Sequence, residues 1–148
     1  MRILTMSAGA VLALLAGQAI AGEPSEAVRP FYLEPGLELK PEEHHRFVDP
    51  ALNVLKQNDV IIAGGEPEGC LDPALPFDDT DYDVEEVKRT LDLREVVTGG
   101  NATVVASFTA EGGTRRVQWM LKNVGGAWKI SDIISMTKDF ALSAFQCE

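Results

Sequence analysis

The sequence predicts an α+β fold, with an N-terminal helical layer packed on a curved four-stranded antiparallel meander. Three observations carry this prediction. Gly-Gly pairs recur every 13 residues, at Gly99-Gly100, Gly112-Gly113 and Gly125-Gly126. Glycine reaches the positive φ that tight hairpin turns require, so three such pairs in series mark three hairpins. The runs between the pairs alternate apolar with polar residues and favour β-formers, whereas the first half carries helix-start signals at Pro24, Pro41 and Pro50.

Residues 1–21 have the pattern of a secretory signal. Arg2 is the only charge before Glu23, Ala8 to Ala16 is almost wholly apolar, and Ala19-Ile20-Ala21 fits a small-x-small cleavage site. The apolar run is shorter than the ~20 residues a bilayer span needs. The expected mature chain, 22–148, is a single domain that begins near Gly22 in a periplasmic or extracellular space.

The first helix is expected over 23–33, with Ala27, Val28 and Phe31 as its apolar stripe, Pro30 as a weak point and Pro35-Gly36 as its end. A second helical turn or two lies within 38–47, opened by Pro41 and by the acids Glu42 and Glu43. A firmer helix follows, with Asp49 as N-cap, Pro50 as first residue, and Leu52 and Leu55 on one face. Gly64-Gly65 stops it. Residues 64–82 contain Pro67, Pro73 and Pro76 and read as loop.

Four strands complete the domain: Val84 to Val97 with a bulge near Thr90–Asp92, Asn101 to Glu111, Thr114 to Val124, and Ala127 to Ser135. Their inward faces are Ala102, Val104, Ala106 and Phe108, then Val117, Trp119 and Leu121, then Trp128, Ile130 and Ile134. One face is apolar and the other mostly wet, as in a sheet covered on one side. A helical segment over Thr137 to Phe145 closes the chain. The expected core is Phe31, Leu52, Leu55, Phe108, Trp119, Trp128, Ile130 and Ile134. The segments between the glycine pairs are not alike residue by residue, so the regular step reflects equal strand lengths rather than duplication.

Cys70 and Cys147 are the only cysteines. Two thiols in an exported chain are expected to pair, and a redox role would want a closer Cys-x-x-Cys spacing. The formal charge is −10, with 23 acids against 13 lysines and arginines, and it becomes one unit more negative without Arg2. Such a chain is repelled by nucleic-acid phosphates and anionic lipid, which argues against those partners; solubility alone is the favoured account of the acidity, and a basic partner or metal cations stay open beside it.

Four constellations bear on chemistry. Glu42, Glu43, His44, His45 and Asp49 contain metal-ligand types, but no further histidine exists and Pro50 interrupts the register; a solvated, acid-rich helix start is the simpler reading, and no metal or cofactor is expected. Asp78, Asp79, Asp81 and Asp83 alternate like a calcium loop but lack the glycine and glutamate positions of the helix–loop–helix pattern. A looser calcium site and a hydrated turn both remain open. Asp132 would share the inward face of Trp128 and Ile130 in a regular strand, where a buried carboxyl has a raised pKa. The favoured alternative is a bulge that turns Ile133 inward and pairs Asp132 with Arg115 or Arg116. No nucleophile elbow or phosphate-binding loop is present, and Asn101-Ala102-Thr103, which fits a glycosylation acceptor, is read as turn chemistry.

The segments "EAVRPFY", "PFDDTDYDVEEV", "ATVVASF" and "VQWMLKNVGGAWKISDI" together resemble the exported bacterial family called domain of unknown function 3828, one of the nuclear-transport-factor-2-like folds. The ending Trp128-Lys129-Ile130-Ser131-Asp132-Ile133 is the most diagnostic part, and the likeness spans residues 25–135. The resemblance implies a cone-like barrel in which helices pack into a strongly curved sheet. It implies no reaction, because such folds host enzymes, carriers and scaffolds alike.

Two functional readings follow. The first is a non-enzymatic periplasmic binding module, whose acidic surface steers a basic protein partner in an immunity-type or envelope-associated role. The second is a small-molecule carrier or cavity enzyme, isomerase- or dehydratase-like, with Tyr82, Trp119 and Asp132 lining the cone. The open sheet face is a candidate surface for a homodimer.

Overall fold

The computed structural model describes residues 22–72 and 74–147; the expected signal over 1–21 lies outside the described residues. Two short helices lead, α1 (Pro24–Val28) and α2 (Pro30–Leu33), separated at Arg29 where Pro30 restarts the helix. Gly36 ends this unit with φ +79°. Two 3-10 segments follow, Leu37–Leu39 and Pro41–Arg46, and then α3 (Ala51–Ala63). Pro50 rather than Asp49 occupies the cap of α3, and no side chain caps that end. After a loop containing one 3-10 turn, Leu75–Phe77, come α4 (Val84–Thr90) and the strands β1 (Asp92–Thr98), β2 (Asn101–Ala110), β3 (Gly113–Val124) and β4 (Ala127–Ser135).

The sheet is the expected antiparallel meander, in order β1-β2-β3-β4. The glycines turn as argued: Gly99, Gly112 and Gly125 all have positive φ. The middle turn is displaced by one residue. Glu111 and Gly112 both have positive φ, as a two-residue primed turn requires, and Gly113 already belongs to β3.

Residues 84–90, expected as the start of the first strand, are helical. Asp83 caps them by accepting the backbone N–H of Glu86 at 2.8 Å, Glu85 and Glu86 occupy the first turn, and Lys88 and Arg89 the last. These charges match the helix dipole. The expected closing helix is reduced to one 3-10 turn, Leu142–Ala144.

Helices cover one face of the sheet, and their buried residues join those of the strands in one apolar cluster. Cα atoms of α1 lie within 8 Å of both outer strands, β1 and β4, as well as β2. Flat strands that far apart in a sheet would be separated by about 14 Å, so the sheet curls around the helix. Ser25 ties α1 to β1, donating its backbone N–H to Glu95 at 2.7 Å and its hydroxyl to the same carboxylate oxygen.

Of the expected core, Phe31, Leu55, Phe108, Trp119 and Ile130 are fully buried, while Leu52 and Trp128 pack half-buried at its edge. Ile134 is not among them. The pairing Met120↔Asp132 and Leu121↔Ile130 leaves Ser131 unpaired, so β4 bulges there and Ile133 turns inward instead. The Ser131 hydroxyl donates to the Met120 carbonyl at 3.1 Å and holds the bulge.

Candidate functional site

Tyr82, Trp119 and Asp132 do not face a common cavity. Trp119 is fully buried, with its ring 5.1 Å from Phe31 and its indole N–H donated to the Tyr32 hydroxyl at 2.9 Å. That bond satisfies two polar atoms in the core, which explains how a tryptophan and a tyrosine lie there without exposed heads. Tyr82 stacks flat on Phe77 at 4.0 Å, and Phe77 in turn meets Tyr32 edge-on. Tyr82 and Trp119 therefore belong to one packed aromatic run, which continues past Trp119 through Phe31 to Phe47.

Asp132 turns away from this run because of the bulge. Its carboxylate accepts the backbone N–H groups of Ile133 and Ser143, each at 2.9 Å, and the Ser143 hydroxyl. Its task is to hold the C-terminal segment against β4. The expected pairing with Arg115 or Arg116 does not form. Arg115 reaches the Phe77 carbonyl and Glu111 instead, both at 3.3 Å.

The two acidic clusters disperse. Glu43 pairs with Arg46, His45 Nδ1 lies 2.9 Å from the Glu42 carbonyl, and His44 Nδ1 lies 3.4 Å from Asp59. In the second cluster, Asp78 accepts the Thr137 hydroxyl, Asp79 pairs with Lys138 at 2.7 Å, and Asp83 caps α4. The Lys138 ammonium holds the Asp79 carboxyl down at about 2, helped by the Thr80 N–H. Among the described residues no group of three or more His, Cys, Asp or Glu is placed to hold a metal ion, so the calcium-loop reading of Asp78 to Asp83 is not supported by the geometry.

A buried acid escaped the sequence reading. Glu38 sits fully buried between Leu37 and Leu39, and neither carboxyl oxygen has a hydrogen-bond partner among the described residues. Burial pushes its pKa up from 4.5 to about 8, a shift that its own nearby N–H opposes and the charge of Asp72 reinforces. Burial likewise raises the Tyr32 hydroxyl, which stays protonated. The available signal was an acid flanked by two leucines ahead of Pro41.

Cys70 and Cys147 are joined, with Cα atoms 5.6 Å apart. The loop carrying Cys70 is pinned to α3: Asn58, itself buried, accepts the backbone N–H groups of Cys70 and Leu71 at 2.7 and 3.0 Å. Gly69 has φ +64° and lies so close that a Cβ there would stand 2.2 Å from the Asn58 side-chain oxygen. The disulfide fits an oxidising compartment. Beside it opens a cavity of about 330 Å³, walled by Leu71, Leu75, Phe140 and Phe145, with Asp72, Asp78, Asp79 and Lys138 as its charged lining.

Charge is divided along the fold. Residues 22–86, the helices and the cysteine loop, hold seventeen acids against four lysines and arginines, whereas residues 87–148, mostly sheet, hold six against eight. On the sheet face that no described helix covers, Thr103, Val105, Gln118, Met120 and Ile134 form an uncharged centre beside Val96, which is 68% exposed, with Arg94 and Asp132 at its edges, paired with Val105 and Met120. No described helix is long and apolar enough to cross a membrane.

No protein-family model and no curated protein matches the chain. Among solved structures, a chain of the type VI native effector–immunity complex Tae3–Tai3 from Ralstonia pickettii has the same fold. It superposes with a TM-score of 0.50 at 21% identity, over 80% of this chain and 97% of that one.

Proposed function

We propose that this protein is an exported, non-enzymatic binding module that captures a basic protein partner, in the manner of the immunity member of an effector–immunity pair. The observation that carries this reading is the likeness in fold to a chain from a two-protein effector–immunity complex. The charge division supports a basic partner. An acidic helical side speeds encounter with a basic surface and repels acidic competitors. Binding is favoured over catalysis because Tyr82 and Trp119 pack into one aromatic run and Asp132 is committed to Ser143.

The signal-like residues 1–21 and the disulfide support a periplasmic or secreted location. The segments over 25–135 support kinship with the exported family of unknown function and its nuclear-transport-factor-2-like architecture. Self-association through the uncovered sheet face is a second use of the surface, favoured by its uncharged centre at Val105 and Met120. A light-scattering mass of one chain at the highest soluble concentration removes that second use.

The main reading is tested by affinity capture from periplasmic extract with the disulfide-bonded protein as bait. A basic partner is expected at low salt, with weaker retention at high salt and with a bait in which Glu66, Glu68, Asp81 and Glu85 are changed to lysine. Capture of nothing at either salt, or capture indifferent to those four changes, defeats the proposal.

A further inference from the structure

We propose that the cavity beside the Cys70–Cys147 disulfide is a receptor for one lysine or arginine side chain of the partner protein. This inference rests on the protein-partner reading and names where that partner is anchored. The walls are apolar, with Leu71, Leu75 and the paired rings of Phe140 and Phe145, whose centroids are 5.9 Å apart. At about 330 Å³ the space lies at the lower end of ligand cavities, roughly 300–1,000 Å³, which suits one long side chain rather than a large metabolite. Its charged lining is three acids, Asp72, Asp78 and Asp79, against Lys138 alone.

Asp78 distinguishes this cavity from a mere acidic surface. It is nine-tenths buried, it ends the 3-10 turn Leu75–Phe77 in the left-handed conformation at φ 64°, and its Oδ1 has no hydrogen-bond partner among the described residues. Its other oxygen takes the Thr137 hydroxyl. A buried carboxylate oxygen short of a donor is costly unless a donor arrives. The last torsion of aspartate is soft, so the proposed binding includes a turn of the carboxyl that brings Oδ1 to the incoming cation.

An alkyl arm ending in a cation satisfies every part of this lining. The methylenes pack on Leu71 and Leu75, the charged head meets Asp78, and the phenylalanine rings offer faces to a guanidinium or ammonium. Lys138, a half-exposed lining residue already bound to Asp79, competes as a neighbouring positive charge. The disulfide holds the two halves of the wall, the 70–80 loop and the C-terminal segment, in register.

Agmatine, a guanidinium on a butyl arm, is the probe. Titrated into the isotopically labelled, disulfide-bonded protein, it should give saturable NMR shifts confined to the cavity residues, with millimolar affinity. Asp78→Asn should weaken binding about tenfold, the loss of one charge-assisted bond. Lys138→Ala, an exposed change that leaves the fold intact, should tighten it about two- to threefold by removing a like charge. Absence of saturable shifts, equal affinity for neutral butylurea, or affinities unmoved by both variants overturns the cation receptor. The two readings separate cleanly. Partner capture that succeeds while agmatine fails, or that is unaffected by Asp78→Asn, overturns the anchor and leaves the interaction standing. Failure of all capture while agmatine still binds overturns the partner, and with it the partner's side chain as occupant.

Discussion

Replacing Glu38 by glutamine should remove a pH dependence that this one carboxyl imposes on stability. The native chain holds a proton on Glu38 until about pH 8, whereas the unfolded chain releases it near 4.5. Between those values the native state binds more protons, so stability falls as pH rises. The contribution is whole below the unfolded value and is lost as pH climbs through the folded one. The full difference corresponds to about 5 kcal/mol, at ~1.4 kcal/mol per pH unit. Glutamine has nearly the shape of the protonated acid, so at acidic pH the two proteins should differ by no more than about 1 kcal/mol. Urea unfolding of both proteins across mildly acidic to mildly alkaline pH gives the difference directly. The variant should gain on the wild type by about 1.4 kcal/mol per pH unit between pH 5 and 8, then level off. Parallel stability curves would show that Glu38 is either solvated or ionised in the native state, and the reasoning from burial would fail.

Three further outcomes follow from the packing. Changing Cys70 and Cys147 together to serine should cost about 4–5 kcal/mol, because the bond spans 77 residues of chain; thiol titration and urea unfolding check it, and unchanged stability contradicts it. Gly69→Ala should cost about 2–3 kcal/mol, since the new Cβ meets the Asn58 oxygen at a positive φ. Adding Asn58→Ala should then cost less than its effect alone, and strict additivity in a double-mutant cycle would exclude the clash. Asp132→Ala should lower stability by about 1–2 kcal/mol and speed hydrogen exchange at Ser143, whose N–H it accepts; unchanged exchange at Ser143 would refute the tethering role.

The parts of the fold legible in the sequence are those with local causes. The turns follow from glycine's freedom at positive φ, as at Gly99 and Gly125. The faces of β2 and β3 follow from period-two alternation, with Val104, Val117 and Trp119 inward. The helical start of 84–90 was also legible in principle, because Asp83-x-x-Glu86 is a capping signature. Val84 and Val87 disguised it by reading as an extension of the strand.

The candidate site was scarcely legible. Tyr82, Trp119 and Asp132 are polar or amphipathic residues near apolar ones, and sequence cannot distinguish a pocket lining from a satisfied core. Trp119 finds its acceptor 87 positions away at Tyr32, and Asp132 finds its donors only after the bulge at Ser131 has turned β4 by one residue.

By itself, the sequence determined the chain's acidity, its pair of cysteines, its hairpin turns and the inward residues of the regular strands, because each depends on composition or on neighbours a few positions apart. The tertiary structure alone decided that Asp132 serves Ser143 rather than Arg115 or Arg116, that Glu38 is buried with no hydrogen-bond partner among the described residues, and that Phe140, Phe145 and Asp78 meet around one cavity. Those outcomes depend on how distant segments share limited volume around the curled sheet, and no local rule of spacing or charge contains that information.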